Sequence, residues 1–177
     1  RFSKPSQVLQ LIASLRSLTQ VDINRIGIWG HSNGGQISLS ILEITRKSYP
    51  TSLWAPVSSP FPYGVLYFTD TDDDEGHAFR FRLANLEWDY DVREFSITQY
   101  FNMINAPINL HQGGQDTDVP VYWSNRLEKK LKEAGNEINY YFYPQSDHNM
   151  RPDWNVAVNR DVNFYKKYLL ETSIDTQ

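Results

Sequence analysis

The chain has 177 residues, 40% of them hydrophobic and 14% aromatic, with a formal net charge of −4; this is material for one domain with a real core and too little for two of ordinary size. The acidic balance offers no Lys/Arg footprint for a nucleic-acid backbone, and the absence of cysteine removes disulfides, thiolate metal sites and a cysteine nucleophile. No apolar run approaches the ~20 residues that span a bilayer, so the expected partner is a small-molecule or peptide substrate rather than nucleic acid or membrane.

In chain order, Val8, Leu11, Ile12, Leu15 and Leu18 recur at helical spacing and predict an amphipathic helix. Ile26, Ile28 and Trp29 predict a short strand, and Ile37, Ile41, Leu42 and Ile44 resume a helical period after a glycine pair. Further strands are expected over residues 51–57, 107–111 and 138–143. A helix carrying Val119, Trp123, Leu127, Leu131 and Ala134 should end at Gly135. Val158, Val162, Tyr165 and Leu169 mark a closing helix with Asp153 as its cap. Strands alternating with helices predict an α/β fold with a mostly parallel sheet covered on both faces. Residues 58–105 interrupt the alternation with Pro60, Pro62, Gly64, an acidic run from Asp70 to Glu75, and the aromatics Tyr67, Phe68, Trp88 and Tyr90. They read as an insertion or lid within a single domain covering residues 1–177.

Three stretches carry chemistry. The first is GHSNGG, residues 30–35, between the first strand and the helix that follows it. A serine hydroxyl is a poor nucleophile near neutral pH and needs both a base and donors aimed at the developing oxyanion. A glycine-flanked strand-to-helix turn leaves Ser32 at its apex, and the helix N-terminus makes the Asn33 N–H the natural oxyanion donor. The second is HQGGQDTDVP, residues 111–120, which places a carboxylate, Asp116 or Asp118, at the same edge of the sheet. The third is SDHNM, residues 146–150, with His148 on the loop after the fourth strand. Of the other histidines, His111 lies within a strand and is expected to pack, His77 lies in the insertion, and His31 should point away from its neighbour Ser32. The order Ser, Asp, His is that of α/β-hydrolases.

These stretches, VDINRIGIWGHSNGG, INAPINLHQGGQDTDVP and SDHNM, resemble the C-terminal part of the α/β-hydrolase catalytic domain of the prolyl oligopeptidase family, over nearly the whole chain. The resemblance implies a three-layer α/β-hydrolase fold represented by its C-terminal half. It carries Ser32 and His148 over as nucleophile and base. In that family the acid stands three residues before a Val-Pro pair, which selects Asp116. The implied activity is hydrolysis of peptide or acyl-peptide bonds through an acyl-enzyme, with no cofactor. A carboxylesterase on the same triad and a non-catalytic fragment or binding module are the alternatives. This chain departs from the family in having His31 and Asn33 beside the serine and Gln36 after the glycine pair. The fold also normally supplies earlier strands and a second oxyanion donor, so a missing N-terminal segment, or a second copy of the chain, is expected to cover an exposed sheet edge.

The stretch DTDDDEG, residues 70–76, alternates Asp70, Asp72 and Asp74 as a calcium loop does. Glu75 intervenes before the glycine and Phe81 holds the closing position, so a solvated lid face is expected and no metal site.

Overall fold

The computed structural model describes residues 3–69 and 73–171. Asp70 and Asp72 of the calcium-like run lie outside the described residues. Asp74 accepts the N–H groups of Gly76 and Ala78 at 3.0 and 2.8 Å, at the start of a helix.

Four strands, β1 (Ile28–His31), β2 (Thr51–Trp54), β3 (Ile108–Gly113) and β4 (Ile138–Tyr143), form one sheet in the order β1-β2-β3-β4. Every pairing is parallel, with Ile28 opposite Thr51, Thr51 opposite Ile108 and Ile108 opposite Ile138. The four strands therefore start level and end at one edge. Helices α1 (Ser3–Ser14) and α2 (Asn33–Thr45) flank β1 in sequence; α5 (Val121–Glu133) joins β3 to β4, and α6 (Trp154–Lys166) follows β4. Between β2 and β3 lie α3 (Tyr63–Leu66), α4 (His77–Asp89) and three short 3-10 turns. Among the described residues no helix is long and apolar enough to cross a membrane.

The strand boundaries differ from the sequence expectation for physical reasons. The first strand starts at Ile28 rather than near Ile26, because its partner ladder begins only after Pro50, whose carbonyl accepts the Ile28 N–H at 2.9 Å. The second stops at Trp54 because Ala55 turns to φ 42 and Pro56 has no N–H to donate. The first helix begins earlier than its apolar pattern, at Ser3, since Pro5 is tolerated in a first turn. It packs loosely: none of its residues is buried and Leu11 is 60% exposed. Gly135 closes α5 as expected, at φ 86, with the Asn136 N–H donating to the Leu131 carbonyl. Asp153 stands at the cap position of α6, but makes no side-chain cap bond; its carboxylate accepts the Ser146 hydroxyl instead.

Alternation along the strands separates two faces. Leu53, Ile108 and Leu110 pack with Leu39 and Leu42 of α2 and with Leu127 and Leu131 of α5. Ile97, Phe101 and Ile104 join this core, so the end of the long β2–β3 connection is structural, while α4 leaves Phe81 and Trp88 69% and 90% exposed.

The opposite face packs a second apolar cluster, with Trp54, Tyr143 and Ala157 among its members, around a buried polar network. Ser52 and Trp54 of β2 and Asn109 and His111 of β3 all donate to the buried carboxylate of Asp161 on α6, at 2.7, 2.7, 3.3 and 2.9 Å. The other ring nitrogen of His111 meets the Tyr143 hydroxyl at 2.8 Å. Burial pushes the Asp161 pKa up, but these donors outweigh it and hold the carboxyl below its ordinary range.

Glu43 on α2 is the opposite case. It is 7% exposed, lines a cavity of about 400 Å³ beside α1 and the 3-10 turns, and its Oε1 has no hydrogen-bond partner. Burial raises its pKa to about 9. The folded chain therefore holds a proton at neutral pH that the unfolded chain loses near pH ~4.3, and stability falls as pH rises through that window up to about 9.

Opposite outcomes follow for the two buried carboxylates. Asp161→Ala strands four buried donors and should cost about 3 kcal/mol or more in urea unfolding at pH 7. Glu43→Gln should leave Tm unchanged at pH 4 and raise it at pH 8, and a thermal melt at both pH values checks this; an equal shift at both would contradict a neutral buried Glu43.

Candidate active site

The edge where the strands end collects the residues singled out from sequence. Ser32 directly follows β1 and precedes α2, with φ 55 and ψ −120, a region that non-glycine residues rarely adopt. Such a conformation costs about 1–3 kcal/mol and persists where its surroundings over-determine it. Here the Ser32 N–H donates to the Trp54 carbonyl at 2.8 Å, and the Ser32 carbonyl accepts the N–H groups of Val57 and Gly35, both at 3.0 Å. The turn also needs glycine: a Cβ on Gly30 would lie 2.6 Å from the Gly34 carbonyl oxygen, and one on Gly35 2.5 Å from Pro56 Cβ. Asn33 opens α2, so its N–H lies in the first turn, where a helix has no preceding carbonyl of its own to bond.

The loop after β3 carries Asp116 and that after β4 carries His148. His148 Nδ1 lies 2.9 Å from Asp116 Oδ2, with the Asp116 side chain 0% and that of His148 13% exposed. Asp118, the other sequence candidate, is exposed, and no hydrogen bond joins its carboxylate to His148. It takes part through its backbone: the N–H groups of Asp118 and Val119 donate to Asp116 Oδ1 at 2.9 and 2.8 Å. Gly113 permits the approach of the two loops, since a Cβ there would collide with the carbonyls of Ser146 and Asp147.

Electrostatics separate the two members of the pair. For His148, burial lowers the pKa, but the hydrogen bond and charge of Asp116, with Asp118 and Asp147, outweigh it and raise the value. For Asp116, burial raises the pKa, and the His148 hydrogen bond and two backbone donors bring it below the ordinary carboxylate range. The ring is thus oriented with Nδ1–H on Asp116, leaving Nε2 with the basic lone pair.

Two residues with no role assigned from sequence complete the arrangement. His31 Nε2 donates to the His148 carbonyl at 3.0 Å, and the two rings stack loosely with centroids 4.5 Å apart. Burial lowers the His31 pKa and outweighs the bond to the His148 carbonyl, which raises it, so the neutral ring is favoured. His31 thereby ties the turn holding Ser32 to the loop holding His148. Gln112, fully buried in β3, donates to Asp116 Oδ2 at 2.9 Å. Its place in β3, four residues before Asp116, was the available sequence signal. The hydroxyl of Ser32 makes no hydrogen bond to His148 or to another described residue, so of the three candidates the structure pairs only Asp116 with His148.

Asp116, Asp118 and His148 bring potential metal-ligand atoms within 4.8 Å of one another. The Asp116 oxygens, however, already accept four hydrogen bonds, which fills their lone-pair sites, so a cation would have to displace donors that fix the pair.

Comparison with known proteins places the chain. The family model for the prolyl oligopeptidase family matches residues 4–172. A Schizosaccharomyces pombe protein named as a dipeptidyl aminopeptidase is 27% identical over 142 residues, 79% of this chain and 16% of that protein. A puromycin-hydrolyzing peptidase of Mycobacterium tuberculosis superposes with a TM-score of 0.73 at 20% identity, covering 94% of this chain and 25% of that one. The Pyrococcus horikoshii acylaminoacyl peptidase gives 0.72 at 17% identity, covering 98% and 29%. The chain thus spans a small part of the length of each, and it has their α/β-hydrolase-like parallel sheet. Matched along almost its entire length, the chain belongs to the prolyl oligopeptidase family.

Proposed function

We propose that the chain is the catalytic part of a serine peptidase acting on peptide or acyl-peptide bonds, with Ser32 as nucleophile, His148 as general base and Asp116 as the acid that orients it. The observation that carries this reading is the shielded Asp116–His148 hydrogen bond, formed at the strand edge where the strained Ser32 turn also ends. A family of peptidases and relatives named as dipeptidyl aminopeptidase and acylaminoacyl peptidase support the substrate class.

The steps follow from the tautomer. His148 Nε2 takes the Ser32 proton as Oγ attacks the scissile carbonyl carbon, and Asp116 stabilises the imidazolium that results. The Asn33 N–H donates to the tetrahedral oxyanion. The imidazolium returns its proton to the leaving amine, the C–N bond breaks, and an acyl-Ser32 ester remains. Water, deprotonated by the same Nε2, releases the acid and restores Ser32. The hydrogen bond this step needs between Ser32 Oγ and His148 Nε2 is of the kind that commonly forms or tightens in the substrate complex.

On a peptide anilide, Ser32→Ala and His148→Ala should each lower kcat/KM by about 10³-fold or more, and Asp116→Ala by about 10²-fold or more, while Asp118→Ala changes it less than about twofold. Equal losses at Asp116 and Asp118 would contradict the choice of acid. Faster turnover of a short-chain aryl ester than of the anilide, with the same variant pattern, would make the enzyme an esterase.

The pH dependence has a definite sign. Protonated His148 cannot accept the serine proton, so kcat/KM falls as pH drops through its raised pKa, and the acid limb should lie above the ordinary imidazole value of ~6.5. Asp116→Asn removes the largest raising influence and leaves burial, so the residual activity should titrate at a lower pH than in the parent chain. A pH–rate profile of both proteins decides the matter.

A further inference from the structure

The carboxylate of Asp116 has two kinds of partner. Its Oδ1 is held by the backbone N–H groups of Asp118 and Val119, which fix the plane of the group. Its Oδ2 is shared between His148 Nδ1 and Gln112 Nε2, each at 2.9 Å. Gln112 is 0% exposed and its amide is itself fully specified. The Oε1 accepts the hydroxyl of Ser124, a 0% exposed residue of α5, at 2.7 Å, and Nε2 also faces the carbonyls of Gly113 and Val119 at 3.1 and 3.4 Å. A rotated amide would place its oxygen against the Asp116 carboxylate and the carbonyls of Gly113 and Val119, acceptor against acceptor with no proton between them. One orientation therefore satisfies every group.

We infer that Gln112, oriented by Ser124, is a positioning residue for the reaction proposed above: it holds Asp116 Oδ2 in line with His148 and takes a share of that oxygen's hydrogen-bonding capacity. The inference rests on the assignment of Asp116 as the acid. Two physical consequences follow. Without the amide, Oδ2 has a lone pair with no donor in a space that water does not reach, and the carboxylate loses one of the contacts fixing its direction. With one competitor gone, more of the negative charge on Oδ2 acts on the imidazolium, which shifts the His148 titration upward. The other groups that act on His148 are Asp118 on the same loop as Asp116, Asp147 on its own loop, and His31 after β1; none of them changes in this substitution.

The test is the rate at which a fluorophosphonate phosphonylates the purified 177-residue chain, Ser32 Oγ attacking phosphorus with loss of fluoride, followed from pH 5 to 9. Because labelling needs neutral His148, the midpoint of the profile reads its titration, and the plateau reads its alignment. Gln112→Met, which keeps volume and removes the amide, should slow the plateau by about tenfold, the order expected when a catalytic group is misaligned by a fraction of an ångström, and move the midpoint to higher pH. Ser124→Ala keeps Gln112 in place and releases its amide, so it should shift both quantities in the same directions by smaller amounts, and it serves if Gln112→Met does not fold. The double variant should be no slower than Gln112→Met alone, since Ser124 acts through Gln112.

A folded Gln112→Met chain with the parent midpoint overturns the inference, whether its plateau is unchanged or merely reduced, because a purely structural role lowers the active fraction without moving the titration. Additive losses in the double variant overturn the role of Ser124 as the orienting group. Asp116→Asn measured in parallel separates the two levels: if it is slow and Gln112→Met is not, this inference alone fails, whereas a fast Asp116→Asn chain overturns the assignment of the acid and this inference with it.

Discussion

The level parallel register of the four strands is the constraint on which the rest of the arrangement depends. Because Ile28, Thr51, Ile108 and Ile138 stand side by side, the ends of β1, β3 and β4 and the loops after them reach the same edge. The ladder also continues into the turn: the Ser32 N–H bonds to the last residue of β2, and Val57, just beyond β2, bonds back to the Ser32 carbonyl. The conformation at Ser32 is thus imposed from its neighbour strand, and tight glycine contacts around it leave the backbone little other course.

Polar groups in the interior do the work of fixing one arrangement. The Asp161 carboxylate gathers four donors from β2 and β3 onto α6, and α6 follows directly from the loop that carries His148. On the edge itself, Gln112, Asp116 and His148 form a second chain of fully directed bonds. Apolar packing alone tolerates small shifts and exchange of side chains, whereas these networks are satisfied in a single geometry. Glu43 is the exception, a buried carboxyl whose Oε1 has no partner, and its neutral form is the price the fold bears on α2.

Much of the fold was legible in the sequence because it depends on local signals. The short β-branched and aromatic runs mark β1 to β4, and the apolar spacing in residues 121–133 marks α5. Ser32, Asp116 and His148 were legible because glycine turns and chain order carry them, and the choice between Asp116 and Asp118 came from the resemblance to the family. What was not legible depends on distance in sequence. The structural part of the long β2–β3 connection, Ile97, Phe101 and Ile104, is spaced as on a helix but sits on short 3-10 turns, and its burial is defined by α2 and α5 packing onto it. Helix α4 lacks an apolar face, with Phe81 and Trp88 turned to solvent, so periodicity gave no sign of it. His111 was expected to pack, which it does, but its partner Asp161 lies 50 residues away. His31 was expected to point away from Ser32, and its bond to the His148 carbonyl spans 117 residues that no local pattern connects.

The departures from the family pattern lie beside the nucleophile, at Asn33 and Gln36, and both residues line the cavity that also holds Glu43. Activation of Ser32 in this chain is read by intact mass after incubation with a fluorophosphonate. A single adduct is expected, which peptide mapping places on Ser32 and Ser32→Ala abolishes. A folded chain that gains no mass, or one whose adduct persists in Ser32→Ala, would contradict that activation.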